Sequence, residues 1–316
     1  MRITNNMLIN NIMVHLSNNL NRTMKYQNQL ATGKKISMPS DDPIVASKAL
    51  KLRTDVAEIQ QFSRNTDDAY SWMEITEATI GQISEVLQRF REITVQAANG
   101  TNTPDDLQKI GAEAGELITQ VIQLANTSYA GRYIFSGFKT DKPLLKSDGT
   151  FNVDVAKDEF IQFEIGIGDR INVNVPGSDL FHKGADATAG EKSSLIDVLT
   201  KIKDFINANL ENEDVKNELQ EKEQHELISE YLGVLDQEIE NLLRVRAGLG
   251  ARMNRVELTG NRLDEDYVSF TKLMSLNEDV DIAEAIMNLN NEYNVYQASL
   301  STTARVIQPS LVDYLR

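Results

Sequence analysis

Between residues 73 and 97 the positions Met73, Thr76, Ile80, Ile83, Leu87, Phe90, Thr94 and Ala97 alternate steps of three and four. That spacing lines one face of an α-helix with a continuous seam. Gly100 is placed to end this helix, and Thr103-Pro104-Asp105-Asp106 to begin another. The hydroxyl can cap, proline suits a first turn, and acids favour the positive end of the helix dipole. The new seam is Leu107, Ile110, Ala114, Leu117, Val121 and Leu124. Farther on, Leu235, Leu242, Leu249, Val256, Leu263 and Phe270 recur every seven residues. A second row of Leu232, Ile239, Met253, Tyr267 and Met274 runs beside them, interrupted by Arg246 and Gly260. One helix over 227–276 would be about 75 Å long, well beyond an ordinary globular helix.

The period changes in the middle of the chain. Ile161, Phe163, Ile165 and Ile167 alternate, a turn falls near Gly168-Asp169, and Ile171, Val173 and Val175 alternate again. This predicts a hairpin. Asp148-Gly149 marks an earlier turn before Phe151, Val153 and Val155, and residues 182–194 read as a flexible linker back to helix. A small β-rich insert therefore interrupts a helical chain, and it is expected to lie outside and to be replaceable by a short linker.

Both ends carry apolar stripes. Ile9, Ile12, Leu16, Leu20, Met24 and Leu30 form the first, and Ile286, Leu289, Tyr293, Tyr296, Leu300, Thr303 and Ile307 the second, with Leu311 and Leu315 beyond. The first 28 residues include eight Asn, a weak helix former, so packing must supply what propensity does not. The second stripe is the natural partner for the first. The fold expected is mainly α: a long antiparallel helical bundle or coiled coil built from both chain ends, with the β insert. Its parts are residues 1–40 with 281–316, residues 41–137 with 190–280, and 138–189 as insert and linker.

Charge sharpens this division. The 316 residues carry a net −15, which disfavours nucleic acid and anionic membranes as partners. Yet residues 1–40 hold five basic groups and no acid, whereas 186–240 hold 15 acids against 5 lysines, a net −10. No segment is long and apolar enough to span a bilayer or to resemble a cleavable signal peptide, so membrane insertion is not expected. By those signals alone the chain reads as cytoplasmic, although another export route would leave no such mark. There is no cysteine, hence neither a disulfide nor a thiolate metal site.

Candidate chemistry is thin. "HELIS" at 225–229 begins like a zinc-protease helix but has Ser229 where the second histidine ligand belongs. "GIGDRI" lacks the third glycine of a dinucleotide loop and fits a hairpin turn. "NEDVD" at 277–281 lacks the glycine and closing glutamate of a calcium loop and fits a helix start. No catalytic, cofactor-binding or metal-ligating residue is assigned, and an enzyme is not expected.

Four stretches, in order, resemble the bacterial flagellins and their hook-associated relatives. They are "LATGKKISMPSDDP", "LQRFREITVQAANGTNTPDDLQKI", "RAGLGARMNRVE", and "DVDIAEAI" followed by "YQASLSTTARVIQPSLVDYL". The resemblance covers about 1–140 and 230–316. Within the family, "GRYIFSGFKTDKPLL" and the ending "SLVDYLR" are similar to the members at the junction between hook and filament; a filament flagellin is the other reading. "QRFREI" also resembles a flagellin patch engaged by innate receptors, but a polar bundle face is the favoured reading of it here.

The resemblance implies a structural, motile-organelle role. It implies that 1–40 and 281–316 form an inner tubular layer, with Ile9, Ile12, Leu16, Leu20, Met24, Ile286, Leu289, Tyr293, Tyr296, Leu300, Ile307, Leu311 and Leu315 at subunit interfaces. Gly33, Asp41, Asp42 and Pro43 would be the hinge to the surrounding helical domain. Implied partners are further copies in a ring, hook-associated protein 1, flagellin, and a hook-associated export chaperone. The implied route is unfolded secretion through the flagellar type III channel, which the lack of cysteine suits.

Overall fold

The computed structural model describes residues 5–36, 38–98, 102–211 and 218–306. In chain order the elements are α1 (Asn5–Thr32), α2 (Pro43–Ala98), α3 (Pro104–Ala125), a short pair β1 (Ser128–Tyr129) and β2 (Arg132–Tyr133), and a hairpin β3 (Gln162–Gly166) and β4 (Asp169–Asn172). The chain continues through α4 (Gly177–Phe181), α5 (Ser194–Glu211), α6 (Glu218–Glu278) and α7 (Ile282–Val306). The architecture is mainly helical with small antiparallel strand pairs. It divides into two units: residues 1–59 with 265–316, and residues 60–264.

In the second unit the expected seams become the core. Every named position of the α2 seam from Met73 to Thr94 is buried, with Ala97 half-buried. On α6, Leu235, Leu242, Leu249, Val256 and Leu263 are all buried. The second row stays half-buried or exposed because it lies at the margin of that contact. Its interruption has a reason. Arg246 donates from Nε to Glu77 Oε1 of α2 at 2.8 Å, across Gly81, where an added Cβ would meet the guanidinium at 3.3 Å. Helix α6 begins nine residues before the expected 227, at Glu218.

Helix α3 starts as its sequence predicts. Thr103 Oγ1 accepts from the Asp106 amide while the Asp106 carboxylate accepts from the Thr103 amide, which satisfies two of the helix's free donors. Its buried face includes Ile118 and Ile122 beside the expected Ile110, Ala114 and Val121. The face is broader than a two-helix seam because α3 also packs against α5.

The hairpin forms where alternation placed it. Phe163 pairs with Ile171, and Gln162 with Asn172, with a register shift between Glu164 and Gly166. Ile167 departs from the pattern: it sits at the turn, 87% exposed. Gly168 takes φ +72° beside it, a left-handed conformation that needs glycine. Val173 and Val175 are buried beyond the end of β4, where the Val173 amide donates to Ile161 O at 2.9 Å.

The segment 182–194 is not a free tether. Ala187 bridges Val155, Lys192 bridges Thr150, and buried Ser193 donates to Phe181 O at 2.9 Å. The two bridges satisfy backbone groups along 150–155, which would otherwise be left without partners. The insert is also bonded to the helices. Asn126, which caps the end of α3, exchanges two hydrogen bonds with the Leu145 backbone, at 2.8 and 2.9 Å. Asn241 of α6 donates to Asp179 O, and Arg252 of α6 to Asn172 O and Asn174 O. Phe135, Phe151 and Phe181 belong to one buried cluster with α2, α3, α5 and α6, with Phe135 and Phe181 edge to face at 6.0 Å. An expected appendage is part of the core.

The motifs considered for chemistry fall into structural places. Residues 225–229 are helical, within α6, and Gly166–Ile171 spans the hairpin turn. Asp281 accepts from the amides of Ala283 and Glu284 and so caps α7. On α2, Phe90 is buried, while Arg89 pairs with Glu113 of α3 and Arg91 with Asp236 of α6. Among the described residues no three His, Asp or Glu side chains gather as a metal requires, and no helix is long and apolar enough to cross a membrane.

Candidate subunit interface

In the first unit α1 packs against α7. Asn19 bonds Ser299 at 3.0 Å, Arg22 pairs with Glu292 at 3.2 Å, and Lys34 bridges Asp279, so the two helices run antiparallel. The inward residues of α1 are Ile12, Leu16, Asn19, Thr23 and Leu30, buried or half-buried. Those of α7 are Ala285, Leu289, Glu292, Tyr296, Ser299 and Thr303. This is a three-four seam, and it is only partly the one expected. Asn19 and Thr23 face the partner helix, while their apolar neighbours Leu20 and Met24 are exposed.

The same split occurs on α7. Leu289 and Tyr296 turn toward α1, whereas Ile286, Tyr293 and Leu300, spaced by seven, are exposed along a neighbouring row. Ile9 is half-buried. Ile307, Leu311 and Leu315 lie outside the described residues. The pair thus spends polar and small side chains on its own contact and leaves large apolar ones uncovered. Soluble monomers rarely present such contiguous rows unless something covers them.

Of the residues expected at the hinge, Gly33 meets a cluster holding two residues that sequence reasoning missed, and Asp41, Asp42 and Pro43 shape the start of α2. Gly33 ends α1 at φ +69°, and its carbonyl accepts from Val280 N at 3.0 Å. Lys35 N donates to Glu278 O at 2.6 Å, so the two chain crossings are bonded to each other. Asp42 Oδ1 accepts from the amides of Ile44 and Val45 and caps α2, with Pro43 as its first residue. Asp41 closes the preceding turn instead, accepting from Met38 N. Glu278, 2% exposed, is held by Arg53 Nε at 2.6 Å and Lys34 Nζ at 3.3 Å, and Asp279 takes Lys34 at 2.7 Å. No spacing rule links residues 34, 53 and 278, which is why Glu278 and Arg53 escaped notice.

The hydrogen bond from Arg53 holds the Glu278 carboxyl below its ordinary value, with Lys34 adding to it. The bond from Lys34 does the same for Asp279. A carboxylate whose folded pKa is depressed stabilises the fold above its unfolded value and loses that contribution as pH falls through the folded one. The joint should therefore loosen below about pH 4. Glu278→Gln should remove the charge with little change of shape and cost about 1–2 kcal/mol, since both cations are partly solvated. Hydrogen exchange at Lys35 and Val280 should speed up in the variant; unchanged protection would count against this clasp.

Two family models match the chain: the bacterial flagellin N-terminal helical region over residues 3–140 and the C-terminal helical region over 232–315. Flagellin of Bacillus subtilis is 31% identical over 98% of this chain and 97% of its own length. The chain belongs to the bacterial flagellin family. Flagellar hook-associated protein 3 of Escherichia coli is a further relative, 28% identical over 95% of both chains. A flagellar hook-associated protein from Vibrio parahaemolyticus has a similar fold, with a TM-score of 0.60 at 24% identity over 75% of this chain and 99% of that one. The flagellin models bracket α1 to β2 and most of α6 with α7, so both terminal helices lie in matched sequence. What lies between holds β3, β4, α4 and α5.

Proposed function

We propose that the chain is the structural subunit of the bacterial flagellum that joins hook to filament and on which flagellin polymerises. The observation that carries a self-assembling role is the pair of uncovered apolar rows on α1 and α7. Supporting the junction rather than the filament are the hook-associated relatives in Escherichia coli and Salmonella typhimurium, each matched over at least 95% of both chains. The stretch 131–145 is consistent with this reading: Ile134, Phe135, Leu144 and Leu145 form the buried base of the insert.

In this reading residues 1–40 with 281–316 form an inner tubular layer, with Ile9, Ile12, Leu16, Leu20, Met24, Ile286, Leu289, Tyr293, Tyr296, Leu300, Ile307, Leu311 and Leu315 as the contact set. Residues 41–137 with 190–280 surround it, and 138–189 face outward. The partners are further copies, hook-associated protein 1 on one side, flagellin on the other, and an export chaperone before secretion through the flagellar type III channel. The role is mechanical, by packing, without catalysis. A filament subunit is the second reading, favoured by the Bacillus subtilis flagellin match. Immunogold labelling of intact flagella decides between them. A single band at the hook–filament boundary is expected, and label along the filament would overturn the junction role.

A further inference from the structure

One buried carboxylate holds both ends of the segment that follows α4. The Glu238 side chain, on α6, has no exposure to solvent, and its Oε1 takes Lys183 Nζ at 3.3 Å and Ser194 Oγ at 2.9 Å. Lys183 begins this strap, and Ser194, the first residue of α5, ends it. Between them the strap runs beside 149–155. Val155 and Ala187 exchange backbone bonds at 2.9 and 3.0 Å, while Phe151 N donates to Glu191 O and Gly190 N to Phe151 O, each at 2.8 Å. Phe151, Val153 and Val155 on that edge are all buried. The strap turns sharply where it leaves α4, with Lys183 at φ +52° and Gly184 at φ +75°. A left-handed conformation is unfavourable for a residue with a Cβ, so the contacts of the lysine must hold it there.

We infer that residues 183–194 are a latch, held shut by Glu238, which covers the 151–155 edge only when α6 is docked. The two grips come from opposite ends of the strap and converge on one oxygen, so a single residue of α6 controls both. Glu238 lies 44 residues beyond Ser194, and the strap closes only once that part of the chain has folded against it. Among the described residues the other oxygen, Oε2, is buried without a hydrogen-bond partner, which leaves the carboxylate dependent on the strap. The rest of the insert reaches the helices through other residues: Leu145 through Asn126, and Asn172 and Asn174 through Arg252. The strap can therefore lift while those bonds stay made. Once it lifts, the backbone groups of Phe151 and Val155 lose their partners and an apolar strand edge is bare, a template for pairing with other chains. Docking of α6 closes that edge. The latch works in the same way in a junction subunit and in a filament subunit.

Hydrogen exchange of the full chain tests this. Lys183→Gly removes one grip at a backbone angle that glycine accepts freely, and Glu238→Met removes both while keeping the site filled. Each should speed exchange at the amides of Phe151, Val155, Ala187 and Gly190 by at least about 10-fold, the signature of a local opening. The amides of Leu145 and Val173, bonded outside the strap, should be unchanged. In the Glu238→Met background Lys183→Gly should add less than about 2-fold, because the two residues act through one contact. Strap amides as slow in Glu238→Met as in the parent chain would overturn the inference. So would acceleration of Leu145 and Val173 in step with the strap in Lys183→Gly, since the insert would then be opening as a whole. A full effect of Lys183→Gly in the chain that already lacks Glu238 would overturn it too.

Discussion

Replacing residues 138–189 with a short Gly/Ser linker is expected to abolish the cooperative unfolding of the larger unit. What matters is not the insert's own apolar residues, which leave with it, but the helical surface they cover. Ile134, Phe135, Leu195 and Ile196 are all buried beside the insert. At Gly149, for instance, an added Cβ would collide with Ile196. Each fully buried side chain of this size contributes roughly 1.5–3 kcal/mol, so uncovering four of them in part costs about 4–8 kcal/mol. That rivals the roughly 5–15 kcal/mol net stability of a domain. The hydrogen bonds from Asn126, Asn241 and Arg252 would also lose their acceptors. Phe181→Ala probes the same interface without deletion. Phe181 is fully buried, and its loss should cost about 3–5 kcal/mol. Thermal unfolding followed by circular dichroism checks both. A deletion variant melting cooperatively within a few degrees of the intact chain would refute this role for the insert.

Leu289→Asp is expected to unpair α1 from α7 while the larger unit stays folded. Leu289 is half-buried on the inward row, facing a helix whose inward residues are Ile12, Leu16, Asn19, Thr23 and Leu30. A carboxylate there loses apolar burial and must be desolvated without a cation, about 2–4 kcal/mol together. An Asn-rich helix has little propensity with which to absorb that loss. Leu300→Asp should act differently, because Leu300 already faces outward: monomer helicity should hold and assembly fail. In cells lacking the native gene, either variant, once detected outside the cell, should leave hooks without filaments and shed flagellin into the medium. Limited proteolysis separates the mechanisms, with α1 and α7 cut early in Leu289→Asp and protected in Leu300→Asp. Normal filaments built on either intact variant would sink the assignment of these rows to assembly.

Local pattern made much of this molecule legible in advance. The α2 and α6 seams, the Thr103 cap and the turn at Gly168 depend on residues close in sequence, where period and backbone preference act directly. Family membership was readable for a related reason: its motifs are contiguous runs. Resemblance also pointed to the terminal helices as the expected subunit interface, although it could not say which of their residues face each other within the chain. There a one-residue offset decided the outcome. Leu20 and Met24 extend the apolar stripe on paper, yet Asn19 and Thr23 face α7, because the antiparallel partner offers Ser299 and a small seam at that height.

Only the tertiary structure could show the rest. Glu278 looks like one acid among several at a helix end until the fold brings Arg53 and Lys34 to it from more than 200 residues away. Residues 182–194 have the composition of a linker, but the exposed edge of 150–155 captures them. The β insert reads as an interruption, and becomes core because its side chains complete a surface that α3, α5 and α6 leave open. Sequence determined which segments are helix, strand and turn, since those choices are made within a few residues. Which faces are covered was decided by partners distant along the chain, since burial belongs to pairs of surfaces and not to either one.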